Sequence, residues 1–116
     1  LDITNRSNDK ADEVVEIVKS LKGTDKFASV LQSQIDFGSY DYVINATSLG
    51  LRTKDPIPFS ISPLNSSCVV CDIIMKPKET KLLKAAKQAG MRVHYGKHML
   101  DYQISFIAEF IKAFKP

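Results

Sequence analysis

DYVINATSLGL, residues Asp41 to Leu51, is the stretch on which the reading of this chain turns. It opens with Tyr42-Val43-Ile44, an apolar run whose composition suits a strand buried on both faces. It then breaks into Asn45-Ala46-Thr47-Ser48 and reaches Gly50. Small hydroxyl and amide residues just past the carboxyl end of such a strand are what a ligand site on an open α/β sheet requires. Their N–H groups and short side chains can reach a phosphate or a ribose unobstructed. The same composition also describes an ordinary strand-to-loop exit, so the flanking segments have to decide.

Moving outward, strands and helices alternate. Leu1 to Thr4 reads as a strand, not as a leader peptide, and Asn5 to Asp9 as a polar turn with several candidate N-caps. A helix is predicted to about Leu21, with Ala11, Val14, Val15, Val18 and Leu21 on one face, stopped by Gly23. Phe27 to Leu31 reads as a short strand and Gln32 to Tyr40 as loop. On the other side, Leu51 to Ser67, with Pro56, Pro58 and Pro63, reads as a long ordered loop. A buried strand over Cys68 to Ile74 follows. Then come a helix over Glu79 to Ala89, carrying Leu82, Leu83, Ala86 and Ala89 on one face, and a short strand from Met91 to Tyr95. The last helix is predicted from about His98 to Phe114, with Leu100, Ile104, Ile107, Ile111 and Phe114 as its apolar stripe. Apolar strands alternating with helices predict a Rossmann-like parallel sheet with helices on both faces.

At 116 residues the chain amounts to one domain, and 44% hydrophobic with 25% charged residues is ordinary globular composition. No apolar run approaches the roughly 20 residues of a membrane-spanning helix, so no membrane is expected. The net charge of +3 is too mild to indicate a polyanionic partner. Lys78, Lys81, Lys84 and Lys87 lack the interleaved aromatics and arginines of a nucleic-acid surface, and a solvated helix face is the expectation. Cys68 and Cys71 form a C-x-x-C spacing within a strand, where residues three apart point to opposite faces. They are expected to be two buried thiols that bridge neither each other nor a metal, in a cytoplasmic setting. His94 and His98 straddle a strand end and a helix start, which is not the spacing of a metal pair.

One piece of a nucleotide-binding half is absent. Such a unit opens with a strand, a glycine-rich turn and a helix that receives the pyrophosphate, and no GxGxxG-like sequence occurs. The chain reads as starting at the second strand; the first strand of such a sheet lies in its middle, and its absence would leave unpaired edges on both of that strand's neighbours. The expectation is therefore a partial cofactor domain, residues 1–116, belonging to a longer protein.

Three segments resemble the cofactor domain of shikimate dehydrogenases: Asn5-Arg6-Ser7, INATSLG at Ile44 to Gly50, and DIIMKPKETKLLKAAKQAG followed by GKHMLDYQ between Asp72 and Gln103. The last carries most of the specificity, through Pro77, Thr80, Leu82-Leu83, Ala86 and Gly90 followed by Gly96-x-x-Met99-Leu100-x-x-Gln103. The resemblance implies an NADP-dependent oxidoreductase of the shikimate or quinate class. It also implies an N-terminal substrate domain, outside this sequence, that supplies a lysine and an aspartate for proton transfer. The small-molecule substrate and that missing part are the expected partners, and homo-oligomerisation is left open.

Residue chemistry runs parallel to the resemblance. Where NAD-binding domains place a carboxylate at the second strand's end, Asn5-Arg6-Ser7 stands here, with Lys10 in the next helix. A guanidinium and an ammonium suit a 2′-phosphate that a carboxylate would repel. By resemblance, Asn45, Thr47 and Ser48 lie beside the diphosphate and nicotinamide ribose. Ile73 and Gly96 flank the nicotinamide, and Met99 packs a thioether against it. Gln103, one turn beyond Met99, offers an amide that donates to and accepts from vicinal hydroxyls of the substrate. Met75 replaces the tyrosine that these dehydrogenases commonly carry there, and a thioether cannot donate a hydrogen bond. This favours quinate or another cyclic polyol acid beside shikimate. The alternatives are the cofactor domain of a glutamyl-tRNA reductase, which should lack the Gly96-to-Gln103 pattern, and a catalytically inactive nucleotide-binding relative.

Overall fold

The computed structural model describes residues 1–23 and 26–112. Its elements run β1 (Asp2–Ile3), α1 (Asn8–Lys22), β2 (Ala28–Ser29), β3 (Tyr42–Asn45), β4 (Val69–Asp72), α2 (Lys81–Gln88), β5 (Arg92–His94) and α3 (Gly96–Phe110). Two short 3-10 turns, Gln32–Gln34 and Phe37–Ser39, occupy the segment expected to be loop. Every strand pairing is parallel, which confirms the α/β class.

The chain divides into two compact units, one of Leu1–Asp36 and one beginning at Phe37. In the first, β1 pairs with β2, Asp2 opposite Ala28 and Ile3 opposite Ser29. α1 buries Ala11 and Val15, two of the five residues of the expected stripe, with Val18 half-buried, while Val14 and Leu21 stay exposed. A two-stranded sheet of two residues each is too narrow to cover more of a 15-residue helix. Gly23 closes α1 in a left-handed conformation, its N–H donating to the Lys19 carbonyl at 2.8 Å.

The second unit is a three-stranded sheet in the order β3-β4-β5. Parallel pairing sets Val43 beside Val70 and Asn45 beside Asp72, with Val70 beside Val93 on the far edge. The face carrying these residues is the core: Val70, Leu82, Leu83, Ala86, Cys68 and Leu64 pack together there. Phe37 and Phe59, stacked with centroids 5.8 Å apart, border it. Leu64, Phe59 and Ile61 anchor the proline-bearing loop onto this core, so the loop is ordered as expected.

Several expectations are corrected. Of β3 only alternate residues are covered: Asn45 is 2% exposed, whereas Tyr42 and Ile44 remain 65% and 56% exposed. The apolar run fixes a strand, but burial on both faces needs a layer on each side, and β3 is the last strand of the three. Cys68 is buried in the core cluster while Cys71, on the opposite face beside Ile44, is only half-buried. Desolvation raises both thiols above their ordinary pKa. α2 starts at Lys81 and not at Glu79, because Thr80 caps it: the Thr80 hydroxyl accepts from the Leu83 N–H at 3.3 Å. Ala89, expected on the buried face, lies outside α2 and is exposed. α3 begins two residues early, at Gly96, and its stripe of Leu100, Ile104, Ile107 and Ile111 is exposed. Phe114 lies outside the described residues. Among the described residues no helix is long and apolar enough to cross a membrane.

Candidate functional site

The first group of expected site residues is local. Asn5 folds its side chain back so that Oδ1 accepts from the Ser7 N–H at 3.1 Å, an Asx turn that leads into α1. Ser7 is the N-cap but its hydroxyl makes no capping bond. Arg6 and Lys10 are exposed. The turn therefore presents a guanidinium, a hydroxyl and an ammonium on a backbone fixed by its own asparagine.

The second group gathers at the carboxyl ends of β3 and β4. Register alone brings Asn45 and Asp72 side by side. Asn45 Nδ2 donates to Asp72 Oδ1 at 3.2 Å and to the Leu49 carbonyl at 3.0 Å. Its Oδ1 accepts from the Thr47 N–H at 3.1 Å and from the Thr47 hydroxyl at 2.7 Å. The Thr47 oxygen in turn accepts from the Leu49 N–H at 3.1 Å. Both halves of the Asn45 amide are thus used within the protein, and its side chain holds the loop. The Thr47 hydroxyl proton is used in the same way. Ser48 is exposed, as are Ala46, Thr47 and Leu49, and no side-chain bond ties its hydroxyl among the bonds of this loop.

Beyond it, Gly50 adopts φ 115°, a conformation that L side chains rarely reach, and an added Cβ would lie 3.1 Å from Ile74 Cδ1. Asp55 fastens the loop's far side, its Oδ2 accepting from the Gly50 and Arg52 N–H groups at 3.0 Å each. Those bonds, Arg52's first, lower the Asp55 pKa from its ordinary value, helped by the Arg52 and Lys81 charges. Ser48, Leu49, Leu51, Arg52 and Asp55 line a recess of about 250 Å³. A larger apolar groove, about 450 Å³ between Ile57, Phe59, Ile61 and Ala85, contains none of the expected residues.

Ile73 and Gly96 do come together. A Cβ on Gly96 would lie 2.5 Å from the carbonyl oxygens of both Ile73 and Ile74. The glycine expected to admit a nicotinamide is thus required by the chain itself, which seats the first turn of α3 on the exit of β4. Met99 and Gln103, four apart on α3, share a face and are both exposed. Met75, just beyond β4 and before the cis Lys76–Pro77 bond, is exposed as well. His94 and His98 meet edge to face at 5.1 Å, and no group of three or more candidate metal-ligating side chains occurs among the described residues.

Sequence reasoning overlooked Asp72, Thr80, Asp55 and Glu79. The Glu79 carboxylate accepts from Lys87 Nζ at 2.8 Å and from the Tyr95 hydroxyl at 3.0 Å, so Lys87 is tied to a carboxylate and not simply solvated. These bonds lower the Glu79 pKa and raise that of Lys87.

No family model matches the chain. The shikimate dehydrogenase (NADP(+)) of Geobacillus kaustophilus is 36% identical to it over 104 residues, 89% of this chain. Along nearly its whole length the chain is similar to part of a shikimate dehydrogenase (NADP(+)). It spans 37% of the length of that relative. Two solved structures share its fold. The quinate dehydrogenase of Corynebacterium glutamicum in complex with NAD matches 86% of this chain with a TM-score of 0.79 and 26% identity; the match is 36% of that protein. A shikimate dehydrogenase in complex with NADP+ matches 99% of it with a TM-score of 0.78 and 27% identity, 42% of that protein. The fold is accordingly that of the Rossmann-like half of these dehydrogenases.

Proposed function

We propose that this chain is the cofactor-binding part of an NADP-dependent oxidoreductase acting on a cyclic polyol acid, interconverting shikimate and 3-dehydroshikimate or quinate and 3-dehydroquinate. The observation that carries the reading is the match along 89% of the chain to a shikimate dehydrogenase (NADP(+)). The donor set of the Asn5-to-Lys10 turn supports it. Arg6 and Lys10 are exposed cations beside the Ser7 hydroxyl, and β1 runs into Thr4 and Asn5, not into a carboxylate. A 2′-phosphate finds a planar fork, a point charge and a hydroxyl donor there.

In this reading the chain's work is orientation. Bound NADP supplies the hydride acceptor or donor. Ser48 offers its exposed hydroxyl toward the diphosphate, on a loop that Asn45 and Thr47 hold rigid. Ile73 and Gly96 shape the wall beside the nicotinamide, and the Met99 thioether packs against it. The Gln103 amide donates to and accepts from vicinal hydroxyls of the substrate. Met75 contributes packing where a tyrosine would contribute a hydroxyl, which shifts selectivity away from strict shikimate recognition. The phosphate-cradling turn and the proton-transferring lysine and aspartate belong to the rest of the protein, so the 116 residues alone are expected to be inactive. The two free, desolvated thiols fit a reducing cytoplasm.

The test is turnover by the full-length protein with NADP and NAD, each offered shikimate and quinate. NADP reduction with either acid supports the reading, and a preference for NAD overturns the phosphate-binding role of Arg6. Tight NADP binding without turnover on either acid overturns the substrate class and matches an inactive nucleotide-binding relative. Turnover by the isolated chain overturns the division of labour.

A further inference from the structure

Asp72 is the least explained group in the molecule. It is a carboxylate at 2% exposure in an apolar sheet, and among the described residues no lysine or arginine bonds to it. Its two oxygens accept three hydrogen bonds, each from a different segment. Oδ1 takes the Asn45 Nδ2 proton at 3.2 Å and the Ile74 N–H at 3.0 Å. Oδ2 takes the Thr80 hydroxyl proton at 2.8 Å. Asn45 is itself 2% exposed and begins the loop after β3; Thr80 is 1% exposed and caps α2.

The partners are matched in number and kind. The Thr80 oxygen donates to Asp72 and accepts from Leu83, and the Asn45 amide is filled on both sides. No buried side-chain nitrogen or oxygen among the described residues lacks a partner. A closed network of this kind behaves as one element, since losing any member leaves another buried group unsatisfied. It also continues into van der Waals contact, because the space beside Gly50 is walled by Ile74 and Thr80.

We propose that Asp72 is a positioning residue that locks the Thr47–Gly50 loop to the Ile73–Thr80 segment, so that the two faces offered to the cofactor keep one fixed separation. The proposal rests on the cofactor reading above. Asp72 touches neither ligand nor reacting atoms in this scheme; it acts through Asn45 and Thr80. The preorganisation it provides should appear as affinity, because a loop already held in place has less freedom to lose on binding.

The experiment uses the full-length protein and four variants: Asp72→Asn, Thr80→Val, Thr80→Ser and, as a core control outside the network, Leu82→Ala. NADP affinity is read by fluorescence titration, amide hydrogen exchange by NMR or mass spectrometry, and stability by thermal melting. Thr80→Val, which leaves both Asp72 Oδ2 and the Leu83 N–H without their partner, is expected to weaken NADP binding about 10-fold. Exchange at Thr47 and Leu49 should accelerate by a similar factor. Thr80→Ser, which keeps the hydroxyl, should restore both. Leu82→Ala should melt earlier yet bind NADP as the parent does. Should Thr80→Val not fold, Asp72→Asn, which leaves the Thr80 proton without its acceptor, carries the same expectation. Folded Thr80→Val or Asp72→Asn with parental affinity and parental exchange would overturn the proposal. So would a Leu82→Ala that loses affinity in proportion to its stability. If the parent itself binds no NADP, the cofactor reading falls, and the lock is then decided on the exchange rates alone.

Discussion

The Asn5-to-Lys10 turn and the Asn45-to-Thr80 network hold their polar groups in opposite ways. In the first, one Asx bond shapes the backbone and the charged side chains stay in water. In the second, Asn45, Asp72 and Thr80 do the shaping almost fully buried and mutually bonded, while Thr47 and Ser48 lie on the exposed side. A charged clamp needs reach more than rigidity, because Coulomb attraction falls off slowly and long side chains find a phosphate from many rotamers. A surface for a flat ring and a diphosphate needs fixed distances. The difference teaches that mutation should separate the two regions, one losing affinity without stability, the other losing both together.

Gly96 sets the strongest test. Gly96→Ala forces a Cβ against two backbone carbonyls at 2.5 Å, so neither neighbour can yield by a rotamer change. A loss of about 3 kcal/mol or more in thermal or denaturant unfolding is expected, the upper range for overpacking. An unchanged melting temperature would show that α3 does not sit on β4 as described. Next comes a matched pair. Leu83→Ala, at a fully buried site, should cost about 2–5 kcal/mol, whereas Val14→Ala, on the exposed side of α1, should stay within about 0.5 kcal/mol. Equal costs would erase the contrast between the units.

Arg6→Ala should leave stability unchanged and weaken NADP binding by about 1.5–3 kcal/mol, the range for a hydrogen bond to a charged group, with NAD binding nearly untouched. Titration of the full-length variant with both cofactors measures this. Parallel losses for NADP and NAD would remove the 2′-phosphate from the account. The smallest effect concerns Glu79, whose pKa is lowered in the fold by Lys87 and Tyr95. A depressed carboxylate stabilises above its unfolded pKa and loses that contribution as pH falls through the folded one. The parent's advantage over Glu79→Gln should therefore be present at neutral pH, disappear on acidification through the carboxylate range, and shrink in high salt because the groups are exposed. An advantage that grows as pH falls would reverse the assignment.

Much of this was legible in the residues, and the limits have physical causes. The order of strands and helices followed from hydrophobic period and from Gly23 and Gly90, since these are local preferences of the backbone. The Asn5-Arg6-Ser7 turn was legible for the same reason: its one shaping bond spans two residues. Thr80 as a cap was within reach, being a threonine before Lys81-Leu82-Leu83, but the expected start at Glu79 lies two residues too early.

Other features needed the folded chain. That Asn45 serves the scaffold follows from register, which sets it beside Asp72, 27 residues away, and no local signal carries that pairing. The exposure of Tyr42, Ile44 and the α3 stripe likewise depends on which layers lie over them, whereas periodicity fixes only which residues share a face. The sequence by itself therefore determined the order of elements, the likeness to shikimate dehydrogenases and the charged turn, because each rests on short-range geometry or on a motif. Tertiary structure alone decided which polar groups are spent inside the protein, and hence which remain for a ligand. That division depends on distances between segments far apart in the chain, and hydrogen-bonding capacity used in one place is unavailable in another.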